Sequence, residues 1–441
     1  MAVISGFPEF LPQGRLVEAQ VIAILRQTFE LHGFAEIATR AIEPLSELAR
    51  KGEITKEVYA VTRLQATPGE PAQWGLHFDL TVPFARYVLD NAGQLSFPFR
   101  RYQIQPCWRG ERPQEGRYRE FWQADIDVVG QPDLAAHHDT EVCLVMLEAL
   151  QRLHDEIGLP PARLRLNNRK LIQGFYGGLG LADPLGIIQL VDKLPKIGPA
   201  GLTELLTQQG LTPAQIDQVM ALASIEATTD LADQVDRLGV RSELLDQGLA
   251  ELTALYQGLA SRFPDNVVAD LKIARGLDYY TGSVFELELV GLESVGTVCA
   301  GGRYDSLATN GRQTFPGVGI SLGISRIFAP LIGAGRLTAS RAVPSAVLVA
   351  VDSPETRGQA EAVAAALRQR QIACEVSPNH DKYGKQIKLA DQRGIPYVWF
   401  GGLTGQVKDI RSGEQTAADA ATWTPPVADL RPAIVRTGDL A

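Results

Sequence analysis

The stretch Arg109-Gly-Glu111-Arg112-Pro-Gln-Glu-Gly-Arg117-Tyr-Arg119-Glu-Phe121-Trp-Gln123-Ala-Asp125-Ile-Asp127 decides how this chain is read. Strand-like residues flank a charged loop, which predicts a hairpin. Side chains alternate faces along a strand, so Arg109 falls with Glu111, and Gln123 falls with Asp125 and Asp127. Burying that much charge is unfavourable unless the groups pair or meet a ligand. Arginines suit a polyanion and the carboxylates suit an amine. The competing reading is a surface hairpin laced with cross-strand ion pairs. A second stretch, Arg275-Gly-Leu-Asp278-Tyr279-Tyr280-Thr-Gly, weighs toward the ligand.

Composition frames these segments. With 441 residues and 45% hydrophobic content, the chain is expected to fold into two or three globular domains. The N-terminus has neither a basic n-region nor a sustained apolar run, and no segment approaches a membrane span, so a soluble cytoplasmic protein without membrane association is expected. Cys107, Cys143, Cys299 and Cys374 are far apart, with no CxxC pair. Neither a disulfide framework nor a thiolate metal site is supported, and no metal-ligating set is assigned. Residues 345–441 carry equal numbers of basic and acidic side chains, so the net charge of -9 resides in the remainder. Such acidity argues against indiscriminate nucleic-acid binding, although local arginine clusters remain suited to a folded RNA.

Periodicity predicts a helix over Arg15–His32, a strand at Phe34–Ala38, strands and hairpins up to Gly130, and a helix over His137–Leu153. From about 171 to 263 the pattern is helical almost throughout, broken at Gly198–Gly201 and Gly210, which reads as an insertion. Strand character returns over Asp270–Val290, followed by glycine-rich stretches from Cys299 to Asp305 and from Gly317 to Arg326. After a linker at Gly333–Pro344, strands at Ala346–Val351, Ala373–Val376 and Tyr397–Phe400 alternate with helices from Glu355 and Asp381, predicting an α/β domain. Lys382, Lys385 and Lys388 on its second helix form either a phosphate-meeting face or a merely solvated one.

In Leu76-His77-Phe78-Asp79-Leu80-Thr81-Val82-Pro83, alternation groups His77, Asp79 and Thr81 as a second polar wall or a solvent-facing strand edge. Glycines 301, 302, 317, 319 and 323 permit close approach either of a ligand or between elements. Neither a Walker-type loop nor a GxGxxG opening a helix is present, so any phosphate is held by side chains.

A charged hairpin, then RGLDYY, then a glycine-rich stretch ending in Arg326 resembles the class II aminoacyl-tRNA synthetases, and RGLDYYTG with GERPQEGRYREFWQADIDVVG resembles the histidyl-tRNA synthetase family. The resemblance runs from Ser5-Gly-Phe-Pro-Glu-Phe-Leu-Pro12 to Lys408-Asp-Ile-Arg411-Ser-Gly-Glu-Gln415. It implies an α+β catalytic domain on an antiparallel sheet over residues 1–332, interrupted by the helical insertion, and a C-terminal α/β anticodon-binding-like domain over 345–441. It implies activation of L-histidine with ATP and Mg²⁺, transfer to tRNA(His), and a homodimer. Arg109 and Arg275 would act on the reacting carboxylate and α-phosphate. Arg109, Glu111, Phe121 and Arg326 would bind ATP. Asp79, Leu80, Thr81, Gln123, Asp127, Tyr279 and Tyr280 would bind histidine, and Gln114, Arg117 and Arg119 would approach tRNA.

Three positions depart from the family's commoner pattern. Ser5-Gly-Phe-Pro replaces Lys-Gly-Thr-Arg, Arg40 stands where many class II chains carry proline, and Asp79 stands where many bacterial members carry Glu. A different-class alternative is the synthetase-like regulatory subunit of ATP phosphoribosyltransferase. Such paralogues generally lack the C-terminal domain and tend to lose the arginine at the position of Arg275, whereas this sequence has both.

Overall fold

A computed structural model of the chain describes residues 4–49, 56–67, 69–273, 279–438 and 440. Two compact units are present, one built mainly from Ile22–Pro330 and the other from Leu331–Leu440 with Glu9–Val21. Helix α1 (Pro12–Leu31) covers the predicted amphipathic segment, and the expected strand after it shrinks to β1 (Ala35–Glu36).

A small sheet of β2 (Ile42–Pro44), β3 (Ala60–Val61) and β4 (Trp74–Leu76) runs in the order β2-β4-β3, with helix α2 (Leu45–Leu48) beside it. Here the alternation expected through His77, Asp79 and Thr81 fails. Strand β4 stops at Leu76, and α3 (Thr81–Asn91) begins at Thr81. Asp79 accepts a hydrogen bond at 3.1 Å from the Val82 amide, turning the chain into that helix. His77 is fully buried, with ring nitrogens 3.2 Å from the Arg40 carbonyl and 2.8 Å from that of Pro106. Its role is to join backbone segments.

The decisive hairpin forms as expected. Strands β5 (Phe99–Trp108) and β6 (Glu120–Val129) pair in register from Phe99 opposite Val129 to Trp108 opposite Glu120. After α4 (His137–Ile157) and β7 (Ala162–Asn168) come α5 (Arg169–Gly178), α6 (Pro184–Val191), α7 (Leu194–Gln208) and α8 (Pro213–Ala223). Next are β8 (Glu226–Ala227), α9 (Leu231–Asp236) and α10 (Glu243–Ala260). The insertion is therefore helical apart from β8, with a break inside α7 at Gly198. Helices α5 and α10 meet backbone to backbone: a Cβ at Gly174 would lie 2.2 Å from the Leu245 nitrogen, and one at Gly248 2.1 Å from that of Leu171. No other residue type fits there.

The predicted Asp270–Val290 strand is two strands, β9 (Val267–Asp270) and β10 (Ser283–Leu289), which β7 separates. With β11 (Cys299–Thr309) and β12 (Thr314–Gly323) they complete a nine-stranded sheet, ordered β1-β5-β6-β12-β11-β10-β7-β9-β8. Its middle, β5 to β7, is antiparallel throughout, while β1 and β9 join in parallel. Helix α11 (Ile324–Gly333) follows β12 directly.

In the second unit the supposed linker contains a strand, β13 (Leu337–Ala339), whose partner β19 (Ile434–Arg436) lies about a hundred residues later. A five-stranded sheet follows from β14 (Val347–Val349), β15 (Cys374–Val376), β16 (Tyr397–Gly401), β17 (Thr404–Asp409) and β18 (Gln415–Asp419), ordered β15-β14-β16-β17-β18. Strands β15, β14 and β16 are parallel, as a strand–helix alternation requires, and β17 and β18 extend the edge antiparallel. Alternate residues of β14 serve opposite faces: Val347 and Val349 pack with α12 (Arg357–Gln369), Leu348 with α13 (Tyr383–Arg393).

A charge cluster fastens one end of this sheet. Arg411 lies 2.8 Å from carboxylate oxygens of both Asp409 and Asp429, and the Tyr397 hydroxyl donates to Asp429 at 2.8 Å. Hydrogen bonds from Arg411 hold the Asp409 carboxyl down at about 2, below its usual 3.8. A depressed carboxylate contributes stability that is complete above its unfolded-state value and is lost as pH falls through its folded-state value. Arg411→Gln is therefore expected to lower the denaturant midpoint at neutral pH, with the gap to the native chain narrowing from pH 3.8 toward 2. Fluorescence of Trp399 and Trp423, whose rings are 5.8 Å apart in this unit, offers the readout. A gap independent of pH would show that Asp409 contributes nothing.

Candidate active site

A cleft of about 380 Å³ opens over the central sheet of the first unit. Strand β6 contributes Phe121, Gln123 and Asp127, while the loop before it contributes Arg109, Glu111, Arg117 and Tyr118. Asp79 and Thr81 enter from the turn into α3, Tyr279 and Tyr280 from the approach to β10, and Arg326 from the first turn of α11. Eleven of the residues expected from the sequence thus share one cavity. Leu80 is fully buried and does not line it; Gln114 and Arg119 sit outside on the loop; Arg275 falls outside the described residues.

The cleft has two chemically distinct ends. One is carboxylate-rich. Asp127, 3% exposed, is held by the Tyr304 hydroxyl donating at 2.7 Å to Oδ1 and by Arg101 Nη2 at 2.7 Å from Oδ2. Gln123 donates at 2.8 Å to Asp125, whose carboxyl is pushed up by burial against the pull of Arg101. Burial and Asp127 together push the Tyr304 phenol well above its usual range, so its hydroxyl remains a donor. The Tyr279 and Tyr280 rings lie 4.2 Å apart beside this end, and Arg169 fixes the segment by donating to the Tyr280 carbonyl at 2.6 Å.

The other end is cationic. Arg109 lies 5.0 Å from the centroid of the Phe121 ring and donates to the Phe78 carbonyl at 3.0 Å. Glu111 stands 3.7 Å from Arg109 and 3.5 Å from Arg117. Arg326 donates twice to the Val295 carbonyl, at 3.0 and 2.8 Å. The loop carrying these groups is pinned by the opening residues: the Arg119 and Glu120 amides donate to the Gly6 carbonyl at 2.7 and 3.1 Å. The backbone of the divergent Ser5-Gly-Phe-Pro segment thus makes contacts that its side chains do not. Arg40, another divergence, donates to the buried Glu43 at 2.9 Å, which Arg86 also contacts.

The glycines serve the neighbouring side chains. A Cβ on Gly319 would lie 2.0 Å from Asp127 Oδ1, and one on Gly317 2.4 Å from the Tyr304 ring. Tyr304, Glu286 and Ser321 line the cleft without having been singled out as site residues, and Arg101 stands behind it. The signal available for Tyr304 was its place in Gly301-Gly302-Arg303-Tyr304. Cys299 lies at the wall, its thiol pushed well up by burial, and all four cysteines are buried and unbridged. Among the described residues, no group of three His, Cys, Asp or Glu side chains could hold a metal alone, and no helix is long and apolar enough to cross a membrane. The arrangement can seat an ammonium group and a polar ring at one end and a polyanion at the other.

The family described as histidyl-tRNA synthetase matches residues 6–327, and an anticodon binding domain matches 345–416. The histidine–tRNA ligase of Cutibacterium acnes is 57% identical, with 98% of each chain covered, and that of Micrococcus luteus 53%, with 99% of each covered. The solved histidyl-tRNA synthetase of Nostoc sp. PCC 7120 superposes with a TM-score of 0.83 at 32% identity, covering 95% of this chain and 97% of that one. A Bacillus halodurans chain described as an ATP phosphoribosyltransferase regulatory subunit/histidyl-tRNA synthetase shares the fold at a TM-score of 0.72 and 21% identity, over 88% and 96%.

Gly319→Ala tests the tight seat of Asp127. The added methyl must displace the carboxylate or the Ile126 carbonyl 2.9 Å away, and is expected to cost about 1–3 kcal/mol in thermal denaturation. An unchanged melting temperature would mean that the seat is loose.

Proposed function

Because the chain belongs to the histidyl-tRNA synthetase family, it is a histidine–tRNA ligase, and we propose that the two-ended cleft carries its chemistry. The enzyme joins L-histidine to ATP, releasing pyrophosphate, and transfers the histidyl group from the adenylate to the 3′ end of tRNA(His). The observation supporting this placement is that Asp79, Gln123 and Asp127 share one cavity with Arg109 and Arg326.

In the first step a histidine carboxylate oxygen bonds to the α-phosphorus as its bond to the pyrophosphate oxygen breaks. Two anions must meet, so fixed guanidinium groups supply much of the stabilisation and positioning supplies the remainder. Arg109, with Arg275, acts on the carboxylate and α-phosphate. Phe121 stacks on adenine, Glu111 accepts from its edge, and Arg326 turns from the Val295 carbonyl to the γ-phosphate. Asp79 and Thr81 take the ammonium group with Gln123, while Asp127 and the two tyrosines enclose the imidazole.

Mg²⁺ would be held chiefly by the ATP phosphates, which suits a cation that prefers phosphate oxygens and only one or two carboxylates. The buried wall carboxylate Glu286, to which Thr297 donates at 3.0 Å, is the side chain that would complete its shell. An ion held there would supply neutralisation of the charge that develops on the departing pyrophosphate.

The loop bearing Gln114, Arg117 and Arg119 faces the acceptor end of tRNA, and the C-terminal unit takes the anticodon, with exposed Lys382, Lys385 and Lys388 meeting phosphates. The working form is a cytoplasmic homodimer. The regulatory-subunit reading is the weaker one, since likeness to the Bacillus halodurans chain at 21% identity speaks for the fold alone.

Histidine-dependent ATP–pyrophosphate exchange, followed by charging of total tRNA, is the direct test. Exchange with histidine alone among the amino acids, together with charging, is expected; histidine binding without exchange would overturn the proposal. Arg275→Ala is expected to cut adenylate formation by about 10²-fold or more with folding intact. Removal of residues 345–441 is expected to weaken charging more than adenylate formation, and equal loss in both would make the unit structural.

A further inference from the structure

Arg101 is the one fully buried arginine among the described residues, at 0% exposure. It lies on β5 directly opposite Asp127 of β6, its guanidinium carbon 4.1 Å from the centroid of the Phe84 ring. Nη2 stands 2.7 Å from Asp127 Oδ2 and 4.0 Å from Asp125 Oδ2, yet none of the three guanidinium nitrogens makes a hydrogen bond of good geometry. Gln103 Oε1 and Asp125 Oδ2, buried nearby, are also without one. A buried cation held this way is a poor stabiliser, because its desolvation offsets the attraction it gains. Apolar side chains in place of the whole charged cluster would serve the core as well. The charge therefore has another use.

The groups around Arg101 identify that use. Asp125 and Asp127 face it from β6, Gln103 from its own strand, Tyr304 from β11 and Phe84 from α3. Asp79, Tyr279 and Cys299 lie just beyond. Among these described groups Arg101 is the sole cation, and Asp127 is the carboxylate it touches and the cleft exposes. Together they form a neutral pair whose carboxylate still accepts a hydrogen bond. With Asp79 matched by the substrate's ammonium group and the Asp125 carboxyl pushed toward its neutral form by burial, a neutral imidazole donating one N–H to the Arg101–Asp127 pair leaves the pocket balanced, whereas an imidazolium would add a positive charge in a site with little solvent screening.

We propose that Arg101 is a positioning residue that makes this pocket select the neutral imidazole of histidine, by keeping Asp127 a charge-balanced acceptor. This rests on the reading above in which Asp127 meets the ring. Without Arg101, Asp127 faces Asp79 and Asp125 with no counter-charge among the described residues around it, and the site favours a protonated ring.

The test is the pH dependence of KM for histidine in pyrophosphate exchange, across the ring's ordinary pKa of about 6.5. With the native enzyme KM rises as pH falls below that value, whereas KM for triazolylalanine, whose ring is far less basic, stays level. In Arg101→Met the histidine profile flattens or inverts, KM at pH 8 rises about tenfold or more, and kcat changes less. Arg101→Lys restores the native shape. A native profile in folded Arg101→Met overturns the inference. Should that variant not fold, the native enzyme decides alone, since a histidine KM that is level or falling below pH 6.5 overturns it equally. Asp127→Asn separates the two readings: an unchanged histidine KM there removes the pocket assignment itself, while a raised KM beside an unaltered Arg101→Met profile removes only the role of Arg101.

Discussion

One carboxylate, gripped from two sides inside an almost dry sheet, is the constraint around which the first unit is arranged. Asp127 needs Arg101 opposite it on β5, Gly319 opposite it on β12 and the Tyr304 hydroxyl one strand further on β11. All three depend on strand register, because a slip of one residue turns every side chain to the other face. Gly319 must be glycine to leave room for Asp127, and Gly317 to leave room for Tyr304. The pairing of four strands and the shape of one pocket are thus a single requirement.

From that fixed point the opposite polarity of the cleft follows. Side chains on rigid strands present carboxylates at one end, whereas the cationic end is carried by the 109–119 loop and the start of α11. Backbone contacts stiffen that loop, above all the Gly6 carbonyl receiving two amides. Fixing donors before the reaction avoids reorganising them as charge develops, which is the main source of electrostatic catalysis. Arg326, in contrast, donates to the Val295 carbonyl, so the phosphate role proposed for it would require a change of partner.

The second unit is built on different physics. Helices α12 and α13 pack on the two faces of its sheet, so the inner strand β14 is continuously apolar, while Arg411, Asp409 and Asp429 form a charge cluster and α13 exposes lysines. Its assets are an exposed basic helix and a firm scaffold.

Sequence alone determined whatever depends on local period. The ten-pair hairpin, the common face of Gln123, Asp125 and Asp127, the helical insertion and the strand–helix rhythm after residue 345 all rest on spacings of two or 3.6 residues, and those features were legible. The turn at Asp79 was not, because the same alternating letters suit a strand or a helix entry, and the Val82 amide is what selects the second. Strands β13 and β19 were missed because each is three residues long and is defined only by a partner about a hundred positions away. Whether the glycines served a ligand or packing was likewise undecidable until Tyr304 and Asp127 were seen filling the space they leave. Arg101 reads as an ordinary arginine in a polar strand; only the tertiary structure removes it from water and sets it against Asp127, since burial is a property of neighbours that the chain brings together from far apart.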